Sequence, residues 1–251
     1  MYAASVTDPL GRPIKAAYGI VRSGGVKTAV MEMSAASGLP LLLPDELNPW
    51  ITSTYGTGEM ISDALNRGCR KFLVGIGGSA TNDAGTGMLS ALGVRFLDSR
   101  GQRLKGCGRD LKSIARIDMS SLMPAARESE FIVACDVNTP FCGPDGAARV
   151  FAPQKGADPQ TAEALDRGMR SFARVIAGQF QTDIVPLSGA GAAGGLGGAF
   201  KAFLNARLTA GIEMVLDAIA FDSLLEGASL VITGEGRIDA QTAAGKTAAG
   251  A

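Results

Sequence analysis

The sequence predicts an α/β fold built on a mixed sheet that opens with an antiparallel meander. Three observations carry this. Short alternating apolar runs separated by tight-turn residues fill the N-terminal part, and helix-like and strand-like segments alternate from Gly56 onward. Glycine-rich loops stand beside strands or helix starts at three places.

The elements can be justified in order. "SVTDPLGRPIKAAYGIV" places a Pro/Gly turn between two alternating runs, and "RSGGVKTAVMEM" adds a Gly-Gly turn and a third run, which is the signature of a meander. "ASGLPLLLPDELNP" then breaks regular structure with three prolines. In "GTGEMISDALNRG", Met60, Ile61, Ala64 and Leu65 fall on one helical face, with Gly68 as the stop. "RKFLV" reads as a short buried strand, followed by a glycine loop, a helix around "GMLSALG" and a strand "VRFLD". That βαβ order predicts a partly parallel sheet.

"EFIVACDV" is a further strand, followed by the irregular stretch "NTPFCGPDGAARVFAPQKGADP". Ala162, Leu165, Met169, Phe172 and Ile176 recur at spacings of three and four and mark an amphipathic helix. "GAGAAGGLGGAFKAFLNARL" is a second glycine loop running into a helix, and "GIEMVLDAIAFDSLLEG" is helical as well. "ASLVIT" reads as a last strand, with the polar glycine-rich loop "GEGRIDAQTAAGKT" directly behind it.

Composition narrows the function. The 24 basic residues balance the 24 acidic ones, so nothing argues for nucleic acid, and any anion must be held by local groups. Histidine is absent, which excludes Ser-His-Asp and Cys-His nucleophile systems and any histidine metal site. Cys69, Cys107, Cys135 and Cys142 lack CxxC spacing, which argues against a zinc knuckle and fits a reducing cytosol. No apolar run approaches bilayer length and no signal pattern opens the chain, so a soluble, cytoplasmic protein without membrane partners is expected.

The glycine loops invite comparison with phosphate-binding motifs. GxxxxGK[ST] is absent. Gly75, Gly77 and Ala80 fit a GxGxxA dinucleotide fingerprint, with Asp98 ending the next strand, but "TNDAGTG" occupies the place where the helix should start at once. A different reading begins from Thr81, Asn82 and Asp83, all helix-capping types. They would deliver a helix N-terminus whose amides, reached across glycines, meet a small anion. The alternative is that Asn82 and Asp83 only cap the helix while the glycines relieve crowding. In the third loop, Glu235, Arg237, Asp239 and Lys246 concentrate at the carboxyl end of a strand, the edge where ligands bind in open α/β sheets. Asp136 likewise ends a strand, with Lys155 following in "APQKGA". Acidic groups there can hold magnesium or accept a hydroxyl proton, and cations can neutralise phosphate oxygens. Each taken alone is more often a surface ion pair; their shared place at strand ends makes phosphoryl transfer the reading to pursue.

"VGIGGSATNDAGTGMLSALGVRFLD", "VACDVNTPFCGPDGAARVFAPQKGA", "GAGAAGGLGGAF" and "LVITGEGRIDAQTAAGKT", together with "NPWITSTYGTGEMI", resemble the type I glycerate kinases almost from end to end. The resemblance implies two α/β domains, one inserted in the other, with the active site in the cleft between them. It also implies ATP-dependent phosphorylation of D-glycerate with magnesium. On this reading residues 1–226 form the inserted domain and 227–251 begin the return into the outer one. The family pattern starts upstream of Met1 with "DSFKES"-like and "ADGGEGT"-like loops and continues past Ala251, so a member shortened at both ends is expected. The usual "TNDGG" reads "TNDAG" here, with Ala84 in place of a glycine.

The site expected from chemistry and position together has Asp136, Glu235, Asp239 and Lys155 as catalytic groups, with Asp136 and Glu235 as magnesium ligands. Gly77, Gly78, Ser79, Thr81, Asn82, Asp83, Gly191, Gly194, Arg237 and Lys246 are expected to hold substrate and phosphate. Two other readings are a non-catalytic module that keeps the small-acid site, and a dinucleotide-dependent oxidoreductase.

Overall fold

The computed structural model describes residues 1–230. β1 (Tyr2–Thr7), β2 (Pro13–Ser23) and β3 (Val26–Glu32) form the antiparallel meander expected from the two turn signals. Asp8 closes the first turn by accepting the amides of Leu10 and Arg12, both at 2.9 Å. Gly24 and Gly25, both at positive φ, close the second.

β3 runs parallel to β4 (Lys71–Gly75). The next two strands, β5 (Arg95–Leu97) and β6 (Arg116–Asp118), pair antiparallel with each other in a separate ribbon. β7 (Glu130–Ala134) returns to lie parallel to β4, and β8 (Arg207–Thr209) lies parallel to β7. The main sheet therefore has the order β1-β2-β3-β4-β7-β8. Register aligns Glu32, Gly75, Ala134 and Thr209 in one row across the carboxyl ends of the parallel strands.

α1 (Ser34–Ser37) is a single turn. α2 (Tyr55–Asn66) buries Met60, Ile61, Ala64 and Leu65, the face its periodicity predicts. α3 (Thr86–Ala91) has only six residues. At about 1.5 Å per residue it rises roughly 9 Å, short of the roughly 17 Å that five strand residues span. It cannot carry the chain back along the sheet, and β3 and β7 already occupy both sides of β4. The expected βαβ unit is corrected accordingly: "VRFLD" becomes β5 of the ribbon, and the parallel pairing comes from β3, β7 and β8.

α4 (Pro124–Arg127) and α5 (Ala147–Phe151) are short. α6 (Pro159–Phe180) is the long amphipathic helix, capped by Asp158 accepting the Thr161 amide at 2.7 Å. Its Ala162, Leu165, Met169, Phe172 and Ile176 are all buried. α7 (Ala192–Leu204) packs Phe200 against Phe131, which stacks on Phe72 with ring centroids 4.6 Å apart. The last helical stretch is two helices, α8 (Gly211–Ala218) and α9 (Phe221–Leu225), because Ala220 takes φ +51° between them. β8, only three residues long, carries no periodic signal and reads from sequence as the tail of a helix. No helix among the described residues is long and apolar enough to cross a membrane.

Candidate functional site

A cavity of about 210 Å³ opens beyond the carboxyl ends of β4 and β7. Gly77, Gly78 and Ser79 reach its wall from the loop after β4, Asp136 from the end of β7, and Lys155 from the turn after α5. Five residues singled out in the sequence thus share one wall, although 78 positions separate Gly77 from Lys155.

The loop after β4 is held from behind. The Leu39 amide donates to the Gly78 carbonyl at 2.9 Å, and the Ala80 amide donates to the Ser37 carbonyl at 2.9 Å. These bonds leave the amides of Gly77, Gly78 and Ser79 without a protein acceptor among the described residues. At Gly77 a Cβ would meet nothing within 4 Å, so no neighbour demands a glycine there, and an added methyl would project into open space. The strap that does the holding, residues 37–39, was not legible in the sequence, where the prolines that follow it read only as a break.

Lys155 is 1% exposed and donates to Ser79 Oγ and to the Thr81 carbonyl oxygen, both at 2.7 Å. Burial lowers the ammonium to about 7, and the Asp83 charge only partly offsets this. Burial pushes the neighbouring Cys135 thiol up, away from nucleophilic use at neutral pH.

Thr81, Asn82 and Asp83 lie deeper, all fully buried. The expected free helix terminus is corrected here. Asp83 Oδ1 accepts the Gly85 amide at 3.0 Å, and Oδ2 accepts the amides of Thr54 and Gly87 and the Thr54 hydroxyl at 2.7, 3.2 and 2.8 Å. The start of α3 is consumed by this bracket, and the unused amides belong to the glycine turn seven to nine residues before it. Burial pushes the Asp83 carboxyl up, against the pull of those four donors. Thr81 Oγ1 and Asn82 Oδ1 have no partner among the described residues. Ala84 stands at φ +52°, the left-handed region that a glycine occupies freely.

Gly191 and Gly194 serve close packing. A Cβ on Gly191 would collide with the Pro140 carbonyl oxygen, and one on Gly194 with that of Thr81. The second glycine loop is thereby seated on the first.

Asp136 is exposed and accepts the Gly211 amide at 2.6 Å, which ties the end of β7 to the start of α8. It is the carboxylate of the cavity wall among the described residues. Magnesium is commonly held by one or two carboxylates together with phosphate oxygens, so the residues present fit such an ion with Asp136 as a ligand. Glu235, Arg237, Asp239 and Lys246 lie outside the described residues, as do residues 231–233 of the strand expected before them; its first three residues, 228–230, are described and form no strand.

The dinucleotide fingerprint finds no support. α3 begins six positions after Ala80, and Asp98 serves its own turn by accepting the amides of Arg100 and Gln102.

The sequence profile described as "Glycerate kinase family" matches residues 1–251. The chain belongs to the glycerate kinase family. It is 49% identical over 245 residues to a glycerate kinase of Halalkalibacterium halodurans, covering 98% of this chain and 64% of that one. It is 45% identical over 247 residues to a glycerate 2-kinase of Escherichia coli, again covering 98% and 64%. A crystal structure of a candidate glycerate kinase 2 from Salmonella typhimurium LT2 superposes with a TM-score of 0.90 at 46% identity, over 98% of this chain and 65% of that one. The chain thus spans about 64% of the length of the curated glycerate kinases it matches.

Proposed function

We propose that the chain serves ATP-dependent phosphorylation of D-glycerate, in the cytoplasm, with the cavity at the sheet's carboxyl edge as its anion site. One observation carries the reading: a buried cation, unused loop amides and an exposed carboxylate converge on a single wall. Such a set suits a reaction whose demands are positioning and charge neutralisation.

In the proposed reaction a hydroxyl oxygen of glycerate bonds to the γ-phosphorus of the co-substrate ATP. The bond from that phosphorus to the β–γ bridging oxygen breaks, ADP departs, and the hydroxyl proton passes to a carboxylate. Asp136 is the described residue available either to take that proton or to hold magnesium. A bound magnesium ion would neutralise charge on the phosphates. Gly77, Gly78 and Ser79 would donate amides to an anionic oxygen, and Lys155 would add the positive charge. Glu235, Asp239, Arg237 and Lys246 are proposed to complete the site from the third loop. We keep residues 1–226 as the inserted domain and 227–251 as the start of the return; the end of α9 at Leu225 supports that division.

The test couples ADP release to added D-glycerate, using the chain and a version extended to the length of its relatives. Glycerate-dependent ADP formation is expected. Its absence from the extended version would sink the assignment.

A further inference from the structure

Lys155 combines three properties that rarely coexist. It is 1% exposed, it forms part of a cavity wall, and both groups that accept its hydrogen bonds are neutral. An ammonium has three donors, so one N–H remains without an acceptor among the described residues. Asp83, the carboxylate whose charge it feels, is already engaged by Thr54, Gly85 and Gly87. A buried charge is ordinarily paired, or else it is given up.

The other groups around Lys155 do not supply the missing charge. From the end of β7 come the thiol of Cys135 and the exposed carboxylate of Asp136, which bonds the Gly211 amide. α7 contributes Ala192 and Ala193, and the strap contributes Leu39. On α5, Arg149 turns to Asp166 at 3.9 Å.

We propose that an anionic oxygen entering this cavity, from a carboxylate or a phosphate, is the counter-charge that Lys155 lacks, and that its binding carries one proton from solvent onto Nζ. The neutral amine, the anion and the proton combine into an ammonium–anion pair, and nothing else is consumed. This rests on reading the cavity as an anion site and adds a proton to its binding equilibrium. Burial holds the unliganded ammonium near 7, and an anion at hydrogen-bond distance favours the charged form. At pH 8 the free site is mostly neutral, so binding must take up close to one proton. At pH 6 the site is already charged and uptake should be slight.

Isothermal titration at pH 6 and pH 8, in two buffers of different ionisation enthalpy, reads the proton directly. D-glycerate and inorganic phosphate are titrated separately. For glycerate, whose carboxylate stays ionised throughout, uptake of about 0.9 proton is expected at pH 8 and about 0.1 at pH 6, with Kd rising up to tenfold per pH unit above 7. Phosphate titrates in this range itself, so its uptake is counted as the difference between wild type and Lys155→Met. Uptake with glycerate places the carboxylate on Lys155; uptake with phosphate alone places the phosphoryl end there. Lys155→Met should abolish the uptake. Should that variant not fold, NMR of labelled lysines in the wild-type protein replaces it, with one resonance titrating near 7 and moving upward on ligand addition. Binding without uptake at pH 8, or with uptake unchanged in Lys155→Met, overturns the proposal and leaves the glycerate reading standing. Binding of neither anion at millimolar concentration also overturns it, and the ADP-release assay then judges the kinase reading independently.

Discussion

Gly194 rests directly on the backbone of Thr81. Its φ is +67°, a Cβ there would collide with the Thr81 carbonyl oxygen and lie 2.6 Å from Asn82 Cα, and its own carbonyl accepts the Ala84 amide at 2.9 Å. The contact locks the second glycine loop onto the floor beneath the first. Both the left-handed conformation and the collision oppose any side chain. Gly194→Ala should therefore cost roughly 3 kcal/mol, lowering Tm by about 6–12 °C. Gly11→Ala is the control, since Gly11 also has positive φ but open space around it. It should lose only about 1 kcal/mol. Equal losses would mean that the packing against Thr81 contributes nothing.

Gly77 is the opposite case. It is not in the left-handed region and a Cβ would touch nothing, so Gly77→Ala should leave stability within about 1 kcal/mol. The added methyl projects where an anion would approach the loop amides. At least a tenfold fall in kcat/KM for D-glycerate is expected, about 1.4 kcal/mol of lost transition-state stabilisation. Wild-type kinetics with unchanged Tm would remove this turn from the site.

Asp83 tests the bracket that anchors the loop. Its carboxylate takes donors from the entry to α2 and the entry to α3 at once. In Asp83→Asn one oxygen becomes an amide that can only donate, facing groups that also donate. A loss of about 3 kcal/mol in urea unfolding is expected, with activity lost through the displaced loop. A stability change under about 1 kcal/mol would show that the bracket is not needed.

These particulars show where sequence reading succeeds and where it stops. The buried faces of α2 and α6 were legible because helical period alone determines which side chains turn inward. The meander was legible because its turns carry their own chemistry. That Gly77, Gly78, Ser79, Asp136 and Lys155 would meet followed from placing each at or beyond a strand end. The inward turn of Asp83 was not legible, because its partner Thr54 lies 29 positions away in a segment without period. β8 was too short to signal, and the departure of β5 depends on the length of α3, an element boundary that composition does not mark. The resemblance to a family drew on long ordered motifs, which carry more information than any single glycine pattern.

Asp136→Asn separates chemistry from architecture at the same wall. The asparagine oxygen can still accept the Gly211 amide, so the start of α8 should hold and Tm should stay within about 2 °C. Turnover should fall by about 10²–10⁴-fold if the carboxylate takes a proton or holds the metal. Restoration of part of that loss at high magnesium would favour the ligand role. Near-wild-type turnover would take Asp136 out of the mechanism.

Lys155 also leaves a mark on stability that needs no ligand. Its ammonium lies near 7 in the fold against 10.5 for an unburied lysine. Between those values the unfolded chain binds the extra proton and the native state does not, so stability rises with pH across that window. Below about 7 both states are protonated and the full cost of burying the charge is present. The difference, 10.5 − 7 = 3.5 units, corresponds to about 5 kcal/mol as a ceiling. Lys155→Met removes the titration and leaves Ser79 Oγ and the Thr81 carbonyl without their donor, a pH-independent loss of about 1–3 kcal/mol each. Urea unfolding at pH 6.5 and pH 9.5 should therefore show the variant comparing best with wild type at the lower pH and losing ground by a few kcal/mol at the higher. Parallel pH dependences would mean that Lys155 keeps its charge in the fold throughout this range.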